Sequence, residues 1–173
     1  MTLKRGRLKV THGDVAIDVT RYHRAPLPDV ANDAGGDATA PTADRDELER
    51  RTRAILRRGL LGEPKGTMRP RRVSVAGRTE FERCPQVRAW VLELAGGRCE
   101  LCSEAAPFVD EAGMPFLEVH HVLQLAHNGP DVVKNAVAVC PNCHRRLHHA
   151  SDRDLQRERL YLSIPRLRRP IAR

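Results

Sequence analysis

The feature that most limits how this chain can fold is a doubled Cys-x-x-Cys that brackets a cluster of histidines. Cys99-Glu-Leu-Cys102 is followed, after 37 residues (103–139), by Cys140-Pro-Asn-Cys143. Each Cys-x-x-Cys forms a tight knuckle presenting two sulfurs, and two knuckles complete a tetrahedron around one zinc ion. Four thiolates leave no open position for water or substrate, so this ion is structural. The stretch between the pairs is longer than in common zinc ribbons and must hold structure of its own. It carries His120, His121 and Asn135, and His144 and His148 follow the last cysteine. A zinc site here therefore clamps both ends of a second, histidine-based site. A redox Cys-x-x-Cys is the alternative for one pair, but it does not explain two pairs around a histidine cluster.

The second site has the makings of a hydrolytic centre. His144 and His148 are four apart on a predicted helix from about 141 to 149, so both project from one face. His149 lies one position round and is the less favoured ligand. His120 comes from a predicted strand at 116–122, and side chains alternate along a strand, so His120 and His121 should point in opposite directions. That tension is relieved if the strand ends or twists at this pair. A divalent ion held by His120, His144 and His148 would stabilise charge on a phosphodiester as it is cut. His121, free of metal, would take a proton from the attacking water, since an unperturbed imidazole titrates near ~6.5. Asn135 would fix His121 or the loop that carries it.

Composition agrees with a small, metal-braced domain. Only 3% of the 173 residues are aromatic and 30% are charged, too little for a large aromatic core. The net charge of +8 favours a polyanionic partner, nucleic acid first. Arg145 and Arg146 on the last-motif helix, Arg166, Arg168 and Arg169 in the basic tail, and Arg69, Arg71 and Arg72 upstream are candidates for backbone contacts, which give affinity without sequence information. No apolar run reaches the ~20 residues that span a bilayer, and no secretory signal is legible, so a reducing, cytoplasmic setting and no membrane partner are expected. Cys84 stands outside the pairs and is read as an ordinary thiol.

Along the chain, residues 1–24 form an uncertain N-terminal segment with a short strand or hairpin, and 25–43 read as a disordered linker rich in Ala, Pro, Gly and Asp. Residues 44–79 hold a helix, opened by an Asp44 and Glu47 capping box with Leu48, Ile55 and Leu56 near one face, then a basic irregular stretch running on to 83. The domain proper spans 80–165. In it, Pro85 opens a helix with an apolar stripe of Val87, Trp90, Val91 and Leu94, closed by Gly96-Gly97. A short strand at 136–139, the helix from 141, and a helix near 152–161 that starts at Ser151 with Asp154 as its partner follow, then a basic tail at 166–173.

The segments Phe116-Leu-Glu-Val-His-His-Val122 and Asn135-Ala-Val-Ala-Val-Cys-Pro-Asn-Cys-His144 resemble the HNH nuclease family. The resemblance implies an α+β chain: a small ββα-metal nuclease domain with a four-cysteine zinc knuckle, preceded by a partly disordered N-terminal extension. It puts His121 at the general base and His120 at the preceding metal-ligand position, often Asp in the family. It makes Asn135 the middle Asn, His144 the last His and His148 an additional ligand. Cys99, Cys102, Cys140 and Cys143 are similar to those of the zinc-bearing subgroup, in particular the McrA-type enzymes that cut DNA with modified cytosine. The implied activity is metal-dependent DNA hydrolysis by a restriction-type endonuclease, with structural Zn2+ and one catalytic ion, Mg2+, Mn2+, Ni2+ or Zn2+. Two alternatives stay open: a non-catalytic zinc module that binds nucleic acid, and a nuclease of the same fold that acts on RNA. Cutting both strands is easier for a dimer on DNA, and no interface is legible, so the oligomeric state is open too.

Overall fold

The computed structural model of the chain describes residues 9–12, 15–18, 37–75 and 77–169. Residues 25–36 of the expected linker and the last four residues of the basic tail lie outside these. In the N-terminal segment, β1 (Lys9–His12) and β2 (Val15–Asp18) pair antiparallel with Val10 opposite Ile17, a hairpin as the alternation there suggests.

Helix α1 (Arg45–Arg58) begins where the capping pattern predicts, with the Asp44 carboxylate accepting the Glu47 N–H at 2.8 Å. The reciprocal half of the box is not made. The Glu47 carboxylate instead accepts from Arg50 and Arg51, one turn on. The helix buries Leu48 and Thr52, a pair at i and i+4, while Ile55 and Leu56 are half-buried. It packs on α2 (Pro85–Ala95), where Arg88 pairs with Glu49 at 2.6 Å, and Arg53 reaches Asp110 at 2.9 Å.

Where the sequence reads as a basic irregular stretch, the chain forms a hairpin of β3 (Arg72–Val75) and β4 (Arg78–Phe81). Strands of four residues with exposed arginines offer too short an alternation to stand out in sequence. Two isolated bridges tie this region to the rest. Thr42, within the expected linker, pairs with Arg83, and Thr67 pairs with Asp131.

Helix α2 carries its proline, Pro85, in the first turn, where a missing N–H removes no helical bond, and Gly96 closes it in the left-handed region at φ +55°. Val87, Ala89 and Val91 are buried and Trp90 is half-buried against the core, but Leu94 is 53% exposed. The helix packs mainly against α1 and the strand β6 (Ala136–Val139), so its buried surface is wider and differently placed than a single stripe.

Strand β5 (Glu118–His121) pairs antiparallel with β6 in the register His120 to Val137 and His121 to Ala136. It is shorter than the predicted 116–122 because Phe116 leaves the strand to stack on Phe108 at 4.6 Å. All four residues of β6, Ala-Val-Ala-Val, are buried. Helix α3 (Pro141–His149) follows directly, then α4 (Arg153–Ser163). The residue before α4 is Asp152, not Ser151, and its carboxylate accepts from Arg146 and Gln156 rather than from a helix-terminal N–H. The core is built from Val87, Val91, Leu117, Val122, Val133, Val137, Val139, Leu147 and Leu160. Each such side chain contributes ~1.5–3 kcal/mol on full burial.

Candidate active site

Local chain geometry sets the thiol cluster. Cys99 follows the Gly96-Gly97 turn that ends α2, Cys140 is the residue before the first turn of α3, and Cys143 lies within it. Ser103, at φ +65°, turns the first knuckle, and its N–H bonds Cys99 O at 2.8 Å. The four sulfurs lie within 4.8 Å of one another. A zinc tetrahedron with ~2.3 Å bonds has edges of ~3.8 Å, so the donors fit one ion.

The thiols cannot all ionise alone. Burial raises the Cys143 thiol, and hydrogen bonds with Cys140 and Cys102 raise it further. At Cys99 burial also opposes ionisation, but the backbone N–H groups of Cys102, Cys140 and Leu101 outweigh it and hold this thiol below its ordinary value. Cys99 favours the thiolate while Cys102 and Cys143 resist it, and a cation bound by the cluster would favour the ionised forms.

The first knuckle is tied to β6 through Glu100. Its N–H bonds Ala138 O at 2.9 Å and its carboxylate accepts the Ala138 N–H at 2.7 Å, so the strand edge away from β5 is satisfied. Arg166 closes over this edge, bonding both Glu100 oxygens at 2.6 and 2.7 Å and Ala136 O at 2.9 Å. The expected DNA contact at Arg166 is thus engaged inside the protein, as a brace on the strand. Arg146 is paired with Asp152, and Arg169 is paired with Glu158 and lies over the Tyr161 ring at 4.9 Å. Arg168 is exposed and bonds nearby carbonyls of Pro165 and Leu167. Upstream, Arg71 pairs with Glu82, Arg72 covers Phe81, and Arg69 is exposed. Arg145 is exposed and has no ion-pair partner among the described residues.

The three histidines converge as spacing and strand direction require. The rings of His120, His144 and His148 lie 4.8–5.1 Å apart. Their nearest nitrogens fall within 4.8 Å of one another, and Nε2 of His144 is 3.2 Å from Nε2 of His148. Nitrogens bound to one ion at ~2.1 Å lie ~3–3.4 Å apart, so this set also fits a metal. His120 is 4% exposed, and burial, with the neighbouring His144 and His148, pushes its pKa down to about 3. It is therefore neutral at physiological pH. His148 is lowered as well, by burial first and then by His144.

A second layer orients these rings. Glu118 Oε2 lies 2.6 Å from Nδ1 of His144, leaving Nε2 for a metal, and the side-chain amide of Gln124 lies 3.2 Å from Nδ1 of His148. Glu118 and His120 are two apart on β5, hence on one face, so this partner was readable from the strand pattern.

His121 faces the other way, and β5 ends at this residue. Its Nε2 lies 2.8 Å from Asp131 Oδ1, a partner the sequence reading did not single out. Asn135 makes no hydrogen bond to His121. Its side-chain oxygen accepts the Leu123 N–H at 2.9 Å, and its amide donates to Leu123 O at 2.9 Å and Pro130 O at 2.8 Å. These bonds tie together the two ends of the loop that leaves His121. That loop is tight: a Cβ on Gly129 would lie 1.9 Å from Leu123 O.

Residues 99–150 match the family model of the HNH endonucleases. Over 129 residues the chain is 40% identical to the Type IV methyl-directed restriction enzyme EcoKMcrA of Escherichia coli (strain K12), covering 75% of this chain and 46% of that enzyme. It thus spans about half the length of that relative. Among solved structures, the Type IV phosphorothioation-dependent restriction endonuclease ScoMcrA is similar at 32% identity and a TM-score of 0.46, over 70% of this chain and 23% of the other. Both candidate clusters and His121 fall inside the segment at 99–150, and the chain therefore carries an HNH endonuclease domain and is similar in sequence to a McrA restriction enzyme.

Proposed function

We propose that the protein is a metal-dependent endonuclease that hydrolyses DNA phosphodiester bonds, of restriction type and directed at modified DNA. The observation that carries this reading is the pairing of a three-histidine cluster with an adjacent, separately anchored histidine. A purely structural metal site has no use for His121. His120, His144 and His148 would hold the catalytic ion, and Cys99, Cys102, Cys140 and Cys143 a structural zinc, the usual ion for four thiolates. A divalent ion bound there supplies positive charge to the scissile phosphate as its own charge develops.

The side chains of this chain do the rest. Glu118 and Gln124 orient the ligand rings. His121 accepts the proton of the attacking water, which leaves the oxygen free to attack phosphorus. Asn135 keeps the loop after His121 in place. Arg145, on the same helix as His144 and His148 but exposed, supports a contact to the DNA backbone. No helix of the described residues is long and apolar enough to cross a membrane. A thiolate zinc site is kept in a reducing compartment, which supports action in the cytoplasm. The methyl-directed relative supports modified DNA as substrate.

The test is cleavage of supercoiled plasmid, methylated or not, and of an RNA of similar length, with Mg2+, Mn2+ or EDTA, by wild type and His121→Ala. Metal-dependent nicking that EDTA stops, lost in a folded His121→Ala, is expected, with faster cutting of methylated plasmid. Binding without cutting under every ion would instead identify a non-catalytic zinc module, and preferential cutting of RNA would move the substrate class.

A further inference from the structure

Asp131 is 2% exposed and held at four points. Oδ1 lies 2.8 Å from Nε2 of His121, and Oδ2 accepts the backbone N–H of Cys84 at 2.5 Å. Its own N–H and carbonyl pair with the backbone of Thr67, both at 2.7 Å. The chain at Gly66, φ +61°, approaches so closely that a Cβ there would lie 2.1 Å from Asp131 O. Every one of these restraints except His121 comes from residues 66–84, which precede the segment matched to the HNH family at 99–150.

A neutral imidazole has one N–H and one lone pair, and a carboxylate offers only acceptors. Bonded to Asp131, Nε2 of His121 must carry the proton. Nδ1 is then the nitrogen with the free lone pair. We propose that Asp131 is the positioning residue for His121, holding the ring in the tautomer that offers Nδ1 to the attacking water. We further infer that residues 66–84, by holding Asp131, form part of the catalytic centre. This rests on the nuclease reading above.

The geometry makes Asp131→Asn a sharp probe. Asparagine has one acceptor oxygen and one NH2 group, whereas two donors, Cys84 N–H and His121 Nε2–H, now meet two carboxylate oxygens. The Cys84 N–H is backbone and cannot change its role; the imidazole can. The Asn oxygen goes to Cys84 and its NH2 donates to Nε2. The ring proton moves from Nε2 to Nδ1, and the lone pair leaves the side that water needs. The shape of the site is unaltered. A serine protease triad loses roughly 10⁴-fold in rate through the same kind of tautomer exchange.

The experiment uses the full chain with zinc and Mg2+. Long-range proton–nitrogen spectra locate the ring proton of His121, assigned by its loss in His121→Gln, and plasmid nicking gives kcat and KM. The expected result is a proton on Nε2 in wild type and on Nδ1 in Asp131→Asn. In the variant kcat falls at least about 100-fold, with KM within about 3-fold. A wild-type proton on Nδ1, or a variant kcat within about 3-fold of wild type, overturns the assignment. If Asp131→Asn does not fold, the wild-type spectrum alone decides. If wild type cuts no DNA, the nuclease reading fails, while the spectrum still decides whether Asp131 sets the tautomer.

Discussion

Replacing Asn135 by Asp changes almost nothing in shape and two hydrogen bonds in chemistry. The Leu123 N–H still finds an acceptor, as it does at 2.9 Å in the native chain. The bonds donated to Leu123 O and Pro130 O, at 2.9 and 2.8 Å, become contacts between oxygen lone pairs. Asn135 is 4% exposed, so water does not step in. Each carbonyl left without its donor beside the buried Asn135 side chain costs ~1–3 kcal/mol, so the variant should lose about 2–6 kcal/mol at neutral pH. That is a large part of the ~5–15 kcal/mol that holds a typical domain together. Protonation of the new carboxyl restores one donor, so the folded state favours the protonated form and its pKa lies above the unfolded value of ~3.9. The pH-dependent share of the penalty is therefore absent below ~3.9 and grows as pH rises above it, because the folded variant binds more protons than the unfolded one. Urea unfolding of wild type and variant, with zinc, at about pH 5 and pH 7.5 measures the difference. A variant within about 0.5 kcal/mol of wild type at pH 7.5, or a penalty that grows on acidification, would refute the reasoning.

Further outcomes are expected at other positions. Glu118→Gln removes the carboxylate beside Nδ1 of His144, and calorimetric titration should show the histidine site binding its metal about 10–100-fold more weakly, with the thiolate zinc retained. Arg166→Ala should lower stability by about 3–5 kcal/mol, since it strands the largely buried Glu100 carboxylate, and leave the salt dependence of DNA binding unchanged. Arg145→Ala should do the reverse, keeping stability within about 0.5 kcal/mol and reducing the salt slope of DNA binding by about 1. The chelated, metal-free chain should lose stability steadily as pH falls below ~6.5, because His120 stays neutral when folded down to about 3 while the unfolded chain takes up its proton. The slope is about 1.4 kcal/mol per pH unit from this residue, and His120→Asn should remove it. A pH-independent denaturation midpoint across that range would contradict the buried, neutral assignment.

Much of the site was legible because its ligands are set by short-range geometry. A Cys-x-x-Cys knuckle and a pair of histidines four apart on a helix are fixed by bond lengths and helical pitch, whatever surrounds them. Strand alternation sent His120 and His121 to opposite faces, and the same rule placed Glu118 beside His120. Caps were legible in part: Asp44 holds the start of α1, while the carboxylates of Glu47 and Asp152 found arginines instead. Charge was the poorest guide. The composition pointed to a polyanion, but it did not distinguish exposed Arg145 from Arg166, which is spent on a strand edge 30 residues away at Ala136.

What the sequence by itself determined is the pair of candidate ligand sets and most of the elements that carry them. Only the tertiary structure decided what holds His121. Asp131 meets Cys84 from 47 residues upstream and Thr67 from further still, and no periodicity relates such positions. A hydrogen bond between distant segments depends on how helices and strands pack, and packing is a property of the whole buried surface, not of any window of the chain.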